Sequence, residues 1–158
     1  MIIPDINLLL YSYDAGSPFH RAAARWWSDS VSGTEQVGLA HCAIFGFVRI
    51  GTNPRVFDQP MTIAEAVGHV RSWIDCPAVQ LLDPGPSHVR EVLQLLEHIG
   101  TTGNLVTDAQ LAAMAIEYRA VLHTADSDFL RFPGLAWLNP LTGIGSSHTK
   151  GPQKRRSN

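Results

Sequence analysis

Lysine is absent from this 158-residue chain until Lys150. The eight cations before that point are all arginines and face fourteen acids, a net charge near −6. The four cations of the C-terminal end (Lys150, Lys154, Arg155, Arg156) meet no acid. An acidic body excludes nucleic-acid binding over a broad basic surface. It does not exclude an enzyme that neutralises an acidic cleft with metal ions. No apolar run approaches the ~18 residues of a membrane span, and no basic segment precedes the first apolar run. The expectation is therefore a protein with no signal peptide and no membrane contact, located in the cytoplasm. Cysteine is scarce too. Cys42 and Cys76 lack metal-ligand spacing and read as reduced, packed thiols, with a disulfide between them as the alternative. No phosphate-cradling glycine loop, dinucleotide fingerprint, Ser-His-Asp order or internal repeat is present.

What is there is a globular composition, 45% hydrophobic and 16% charged, in a chain long enough to bury one sizeable core. Met1 to Pro4 reads as a short buried strand, followed by Asp5 and a helical turn at Leu8–Tyr11. Ser17-Pro18 reads as the start of a helix carrying Ala22, Ala23, Trp26 and Trp27. Val37–Ala40 reads as a strand and His41–Ile50 as a helix with Ile44, Phe47 and Val48 inward, stopped by Asn53-Pro54. Thr62-Ile63-Ala64-Glu65 is a capping box opening a helix to about Asp75. Ala78–Leu82 is a strand, and Ser87 caps a helix in which Val89, Val92, Leu93, Leu96 and Ile99 keep the 3.6-residue period. A glycine-containing loop, Gly100–Asn104, precedes a second capping box, Thr107-Asp108-Ala109-Gln110, and an alanine-rich helix to Arg119. Ala120–Thr124 is a strand, Asp126–Asp128 a turn, and the segment near Leu135–Leu138 a last strand. Residues 1–142 form the expected domain, and 143–158 a basic tail without fixed structure.

Strands alternating with helices imply an α/β fold with a parallel sheet covered on both faces, whose ligands sit beyond the carboxyl ends of the strands. Asp5 and Asp126 each follow a strand, and Asp108 opens a helix. Carboxylates gathered at one edge repel one another, which a hard divalent cation relieves. Mg²⁺ or Mn²⁺ held there activates water and stabilises charge on a phosphoryl oxygen. Each acid has a structural explanation as well: Asp5 as a helix N-cap, Asp108 favourable to a helix dipole, Asp126 capping its turn, Asp128 a solvated turn residue. His41, past the second strand, reads as structural or as reaching the cleft. The tail cations read as a solvated end rather than an RNA contact.

Asp5-Ile6-Asn7 after a strand, Phe47-Val48-Arg49-Ile50, Thr107-Asp108-Ala109, and Thr124-Ala125-Asp126-Ser127-Asp128-Phe129 together resemble a PIN domain. The size and the closing Leu138-Asn139-Pro140-Leu141 resemble the VapC toxins of bacterial toxin–antitoxin pairs, and the stretch from Phe47 to Pro54 resembles an actinobacterial branch of them. The resemblance covers about residues 1–142. It implies a three-layer fold with a central parallel sheet of about 4–5 strands, and a metal-dependent ribonuclease that cuts structured RNA such as tRNA or ribosomal RNA. It also implies a cognate VapB-type antitoxin and a homodimer. Matched residue by residue, Asp5, Asp108 and Asp126 fall on the metal site with Asp128 in support, and Asn7 and Thr124 on polar positions that orient them. The family often carries a glutamate in the third helix; Gly46 stands there in this chain, and Glu35 is a poor substitute. If Gly46 marks a lost ligand, Gly46→Glu should restore one. Besides the ribonuclease, a weakly active or inactive PIN-like module working through antitoxin or other protein binding stays open, as does a phosphoesterase acting on DNA or nucleotides.

Overall fold

In a computed structural model, residues 1–100 and 105–146 are described. The elements run β1 (Ile2–Pro4), α1 (Ile6–Tyr13), α2 (His20–Ser32), β2 (Val37–Ala40), α3 (His41–Gly51), α4 (Ile63–Ile74), β3 (Val79–Leu82), α5 (His88–Ile99), α6 (Leu105–Glu117), β4 (Val121–His123), β5 (Trp137–Asn139) and β6 (Ile144–Gly145). A 3₁₀ turn, Ser127–Arg131, follows β4. The strands form one sheet in the order β3-β2-β1-β4-β5-β6, parallel except for β6. The expected α/β architecture is present with six strands rather than four or five. The extra strand, β6, lies beyond the domain end expected at residue 142. The Gly143 backbone (φ 76°) turns the chain back so that Ile144 pairs with Asn139. Of the expected tail, residues 147–158 lie outside the described residues.

The core forms where the sheet meets α1, α3, α4 and α6. Ile3, Leu9, Val37, Leu39, Phe47, Leu111 and Leu122 are fully enclosed. Trp73 stacks edge-on against Phe47 at 4.7 Å and donates its indole N–H to the Tyr13 hydroxyl at 2.7 Å. That satisfies the one polar atom Trp73 takes into the core. Trp27 is also buried and Trp26 half-buried. Helix α6 buries an alanine face (Ala109, Ala112, Ala113, Ala115) that lets it lie close to the sheet.

Several helix starts differ from the sequence expectation, each for a local reason. The Ser17 hydroxyl accepts from the Phe19 N–H at 3.2 Å and closes a separate turn, so α2 begins at His20. The Ser87 hydroxyl is spent on the Glu91 carboxylate at 2.7 Å rather than on capping α5. Among the described residues α6 already runs from Leu105, so Thr107 and Asp108 lie within the helix instead of in a capping box. The Thr62–Glu65 capping box is present, with both reciprocal bonds. Helix α5 keeps most of its expected face, with Val92 buried and Leu96 and Ile99 packed against the core; Leu95 joins them, while Val89 and Leu93 are exposed. The Gly100–Asn104 loop, apart from the left-handed Gly100 that ends α5, lies outside the described residues.

Candidate active site

Chain order places the site. From β1 the sheet grows toward β2 and β3 on one side and toward β4 and β5 on the other. The crevice between the carboxyl ends of β1 and β4 is thus the switch point at which ligands of such sheets bind. The register is fixed by Pro4 opposite His123 and by the Asp5 N–H donating to the His123 carbonyl at 2.9 Å. Asp5 and Thr124, the next residue on each chain, therefore emerge side by side. The helix leading into β4 runs back along the sheet, so its first turn, with Asp108, returns to the same edge.

Asp5, Ile6, Asn7, Arg49, Ile50, Val106, Thr107, Asp108 and Asp126 line a cleft of about 520 Å³ at that edge. Asp5 is only 2% exposed. It occupies the N-cap position of α1 without making the side-chain cap bond, although the Ile6 backbone N–H acts on its carboxylate. Its carboxylate instead accepts from the Thr124 hydroxyl at 2.9 Å. That hydroxyl in turn accepts from the Asp126 N–H at 2.9 Å. Asp126 Oδ1 then accepts from the Asp128 N–H at 2.8 Å, so Asp126 caps the 3₁₀ turn while its other oxygen stays free of that task. Thr124, itself buried, thus ties the two strand-end acids together. Asn7 lines the cleft with no hydrogen bond to the acids. Asp128 stands exposed outside the lining, 4.0 Å from an Arg131 nitrogen.

Electrostatically the edge is strained. The Asp5 carboxyl is pushed up to about 7, first by burial, against the Thr124 hydrogen bond, and then by Asp108 and Asp126. Asp108 is pushed up to about 6 by burial, Asp126 and Asp128. Carboxyls that ionise this reluctantly are what a hard cation relieves. Among the described residues, no three His, Cys, Asp or Glu side chains converge closely enough to ligate one ion directly. The donor set still fits Mg²⁺ or Mn²⁺, which are usually held by one or two carboxylates and keep several waters.

The remaining candidates lie elsewhere. His41 is exposed at the start of α3, 4.0 Å from an Asp83 oxygen and outside the cleft. Glu35 pairs with the N-terminal amine at 3.1 Å, and Ile2 donates to Gln36 beside it, which puts Glu35 at the opposite, amino edge. Gly46 is buried and absent from the lining. A Cβ there would collide with Ile6 Cδ1 and lie 3.1 Å from Cγ1. It marks the close approach of α1 and α3, so a side chain added at this position meets Ile6 before it meets the cleft.

Three further side chains lie near the acids without a motif that assigns them there. Arg49, in the Phe47-Val48-Arg49-Ile50 stretch, lines the cleft. The Tyr11 hydroxyl is raised by burial, Asp5 and Asp126. The Cys42 thiol is pushed up to about 11 by burial, with Asp108 and Asp5 adding to the rise. No sequence signal marks Tyr11, which falls six residues after Asp5, off the i+4 and i+7 positions of a shared helix face. Both cysteines are free and half-buried.

Known proteins share the sequence pattern and the fold of this chain. A family model for the PIN domain matches residues 2–135. Ribonuclease VapC33 of Mycobacterium tuberculosis is 50% identical over 141 residues, covering 89% of this chain and 99% of the relative. Ribonuclease VapC37 of the same organism is 38% identical over 140 residues, 89% of this chain and 97% of the relative. Among solved structures, M. tuberculosis VapC20, a sarcin–ricin loop cleaving toxin, aligns with TM-score 0.64 at 17% identity over 85% of this chain and 98% of that one. VapBC2 of Rickettsia felis, bound to a DNA fragment from its promoter, aligns with TM-score 0.62 at 15% identity over 87% and 97%.

Proposed function

This chain belongs to the PIN domain family, among the VapC ribonucleases, and from that premise we propose that it is a metal-dependent endoribonuclease toxin held by a VapB-type antitoxin. The observation that carries the reading is the cleft at the β1–β4 switch point, where Asp5, Asp108 and Asp126 are crowded enough to raise two of their carboxyls. Asp5, Asp108 and Asp126 would hold Mg²⁺ or Mn²⁺, with Asp128 supporting from the rim. The metal, when bound, supplies an activated water and neutralises charge on the phosphoryl oxygens. Thr124 fixes one oxygen of Asp5 and the backbone of Asp126, so the acids are oriented before the substrate arrives. Asn7 offers an amide toward the same space. The substrate is a structured RNA, such as tRNA or ribosomal RNA, as the relative that cleaves the sarcin–ricin loop suggests. The protein works in the cytoplasm. Among the described residues no helix is long and apolar enough to cross a membrane, which is consistent with that location.

A homodimer is part of the reading. Phe45 on α3, Val89 and Leu93 on α5, and Val106 on α6 are apolar side chains left exposed in the single chain.

A second reading has its own support: no three donors converge on one point, which suits a weakened module acting through antitoxin binding. Cleavage separates the two. Purified protein and a structured RNA are incubated with Mg²⁺, Mn²⁺ or EDTA. The nuclease reading expects cleavage only with metal, lost in Asp5→Asn. Wild-type protein inert in both metals would favour the binding module.

A further inference from the structure

The geometry points to Arg49 as the arm that grips the RNA phosphate beside the scissile bond, a role that rests on the nuclease reading above. Arg49 is the one cation among the nine residues lining the cleft, against three aspartates. It stands in the last turn of α3 and is exposed. No carboxylate among the described residues comes within 4.0 Å of it. It is also absent from the influences on Asp5 and Asp108, which are burial, hydrogen bonds and neighbouring acids. The guanidinium therefore shares the cleft with the acids without being consumed in neutralising them.

That arrangement suits a polyanionic substrate. An RNA phosphodiester approaching three aspartates is repelled unless a positive group receives its non-bridging oxygens. A guanidinium presents a planar pair of N–H donors that matches two phosphate oxygens, which an ammonium does not. The body offers no lysine for the task and seven other arginines, none of them in the lining. With Gly46 in place of the acid often found in α3, this stretch of the helix contributes net positive charge to the cleft. Arg49 exchanges no proton in the hydrolysis. It orients the phosphate and offsets charge that builds on its oxygens as water adds and the ribose oxygen leaves.

The test separates this role from the nuclease reading. Binding of a short fluorescein-labelled RNA hairpin is followed by anisotropy in the Asp5→Asn protein, with Asp126→Asn as a second parent should the first not fold. Arg49→Ala is added to each parent. The expected result is about tenfold weaker binding, with the slope of log K against log salt reduced by roughly one phosphate contact. Arg49→Lys should recover part of the affinity, and the exposed Arg71→Ala on α4 should change neither quantity. In the otherwise native protein, Arg49→Ala should slow cleavage on the order of 100-fold, mostly in kcat, with an unchanged melting temperature. Equal affinity and equal salt slope with and without Arg49, or the same loss from Arg71→Ala, would overturn the proposal. The binding arm needs no cleavage, so an inert wild type would sink the nuclease reading while Arg49 was still judged on its binding constants.

Discussion

Asp5 shows what the cleft costs. Its carboxyl, at about 7, and that of Asp108, at about 6, keep their protons to higher pH in the folded protein than in the unfolded chain, where a free aspartate ionises near 3.8. Between those limits the folded state binds more protons. The contribution of these two acids to the stability of the metal-free protein therefore falls as pH rises from about 4 through about 7, outweighing the opposite contribution of buried His123, which is held down to about 4, and the full carboxyl penalty is present above that window. For Asp5 the penalty is on the order of 4 kcal/mol, most of it desolvation. Thermal melts in EDTA should give a lower melting temperature at pH 8 than at pH 5. Asp5→Asn, which can still accept the Thr124 hydrogen bond, should raise the pH 8 value and flatten the dependence. A wild-type melting temperature that climbs from pH 5 to pH 8 would contradict the crowding described here. The three aspartates were legible in the sequence because each adjoins a strand end or a helix start. Arg49 and Tyr11 were not, because the place of Arg49 in the cleft and the nearness of Tyr11 to the acids depend on how α3 and α1 pack, and no short motif encodes that.

At the scale of elements, α1 and α3 meet through Ile6 and Gly46. The sequence alone aligned Gly46 with a ligand position. It could not show that Ile6 fills the space a side chain would need. Gly46→Ala should gain up to about 1 kcal/mol in helix propensity and lose about 1–3 kcal/mol to overpacking, a net loss in denaturant unfolding. Gly46→Ala combined with Ile6→Val should recover part of that loss. Gly46→Glu should lower stability without tightening Mn²⁺ binding; tighter binding in a stable variant would show that α1 yields and that the position does reach the site. Element existence was largely readable: the Thr62 capping box, the strand at Val37–Ala40 and the alanine face of α6 follow from local pattern. Boundaries failed where a hydroxyl found another partner, as at Ser17 and Ser87. Strand β6 escaped notice because its two residues, Ile144 and Gly145, take their structure from pairing with β5.

For the whole molecule, an acidic body with its one cleft cation among three carboxylates binds RNA locally rather than over a broad surface. Its exposed apolar side chains on α3, α5 and α6 are the reserve for assembly. Light scattering at micromolar concentration should report a dimer for the wild type and a monomer for Leu93→Asp, whose position is solvent-exposed in the single chain. A wild-type monomer would remove the dimer from the account. The central claim, that Asp5, Asp108 and Asp126 together bind one or two divalent cations, directly or through bound water, at the β1–β4 edge, is tested most directly by calorimetric titration of Mn²⁺ into the wild type and each Asp→Asn variant at pH 8. The account predicts saturable binding to the wild type, weakened at least tenfold, about 1.4 kcal/mol, by every one of the three substitutions. Wild-type affinity in all three variants would contradict it.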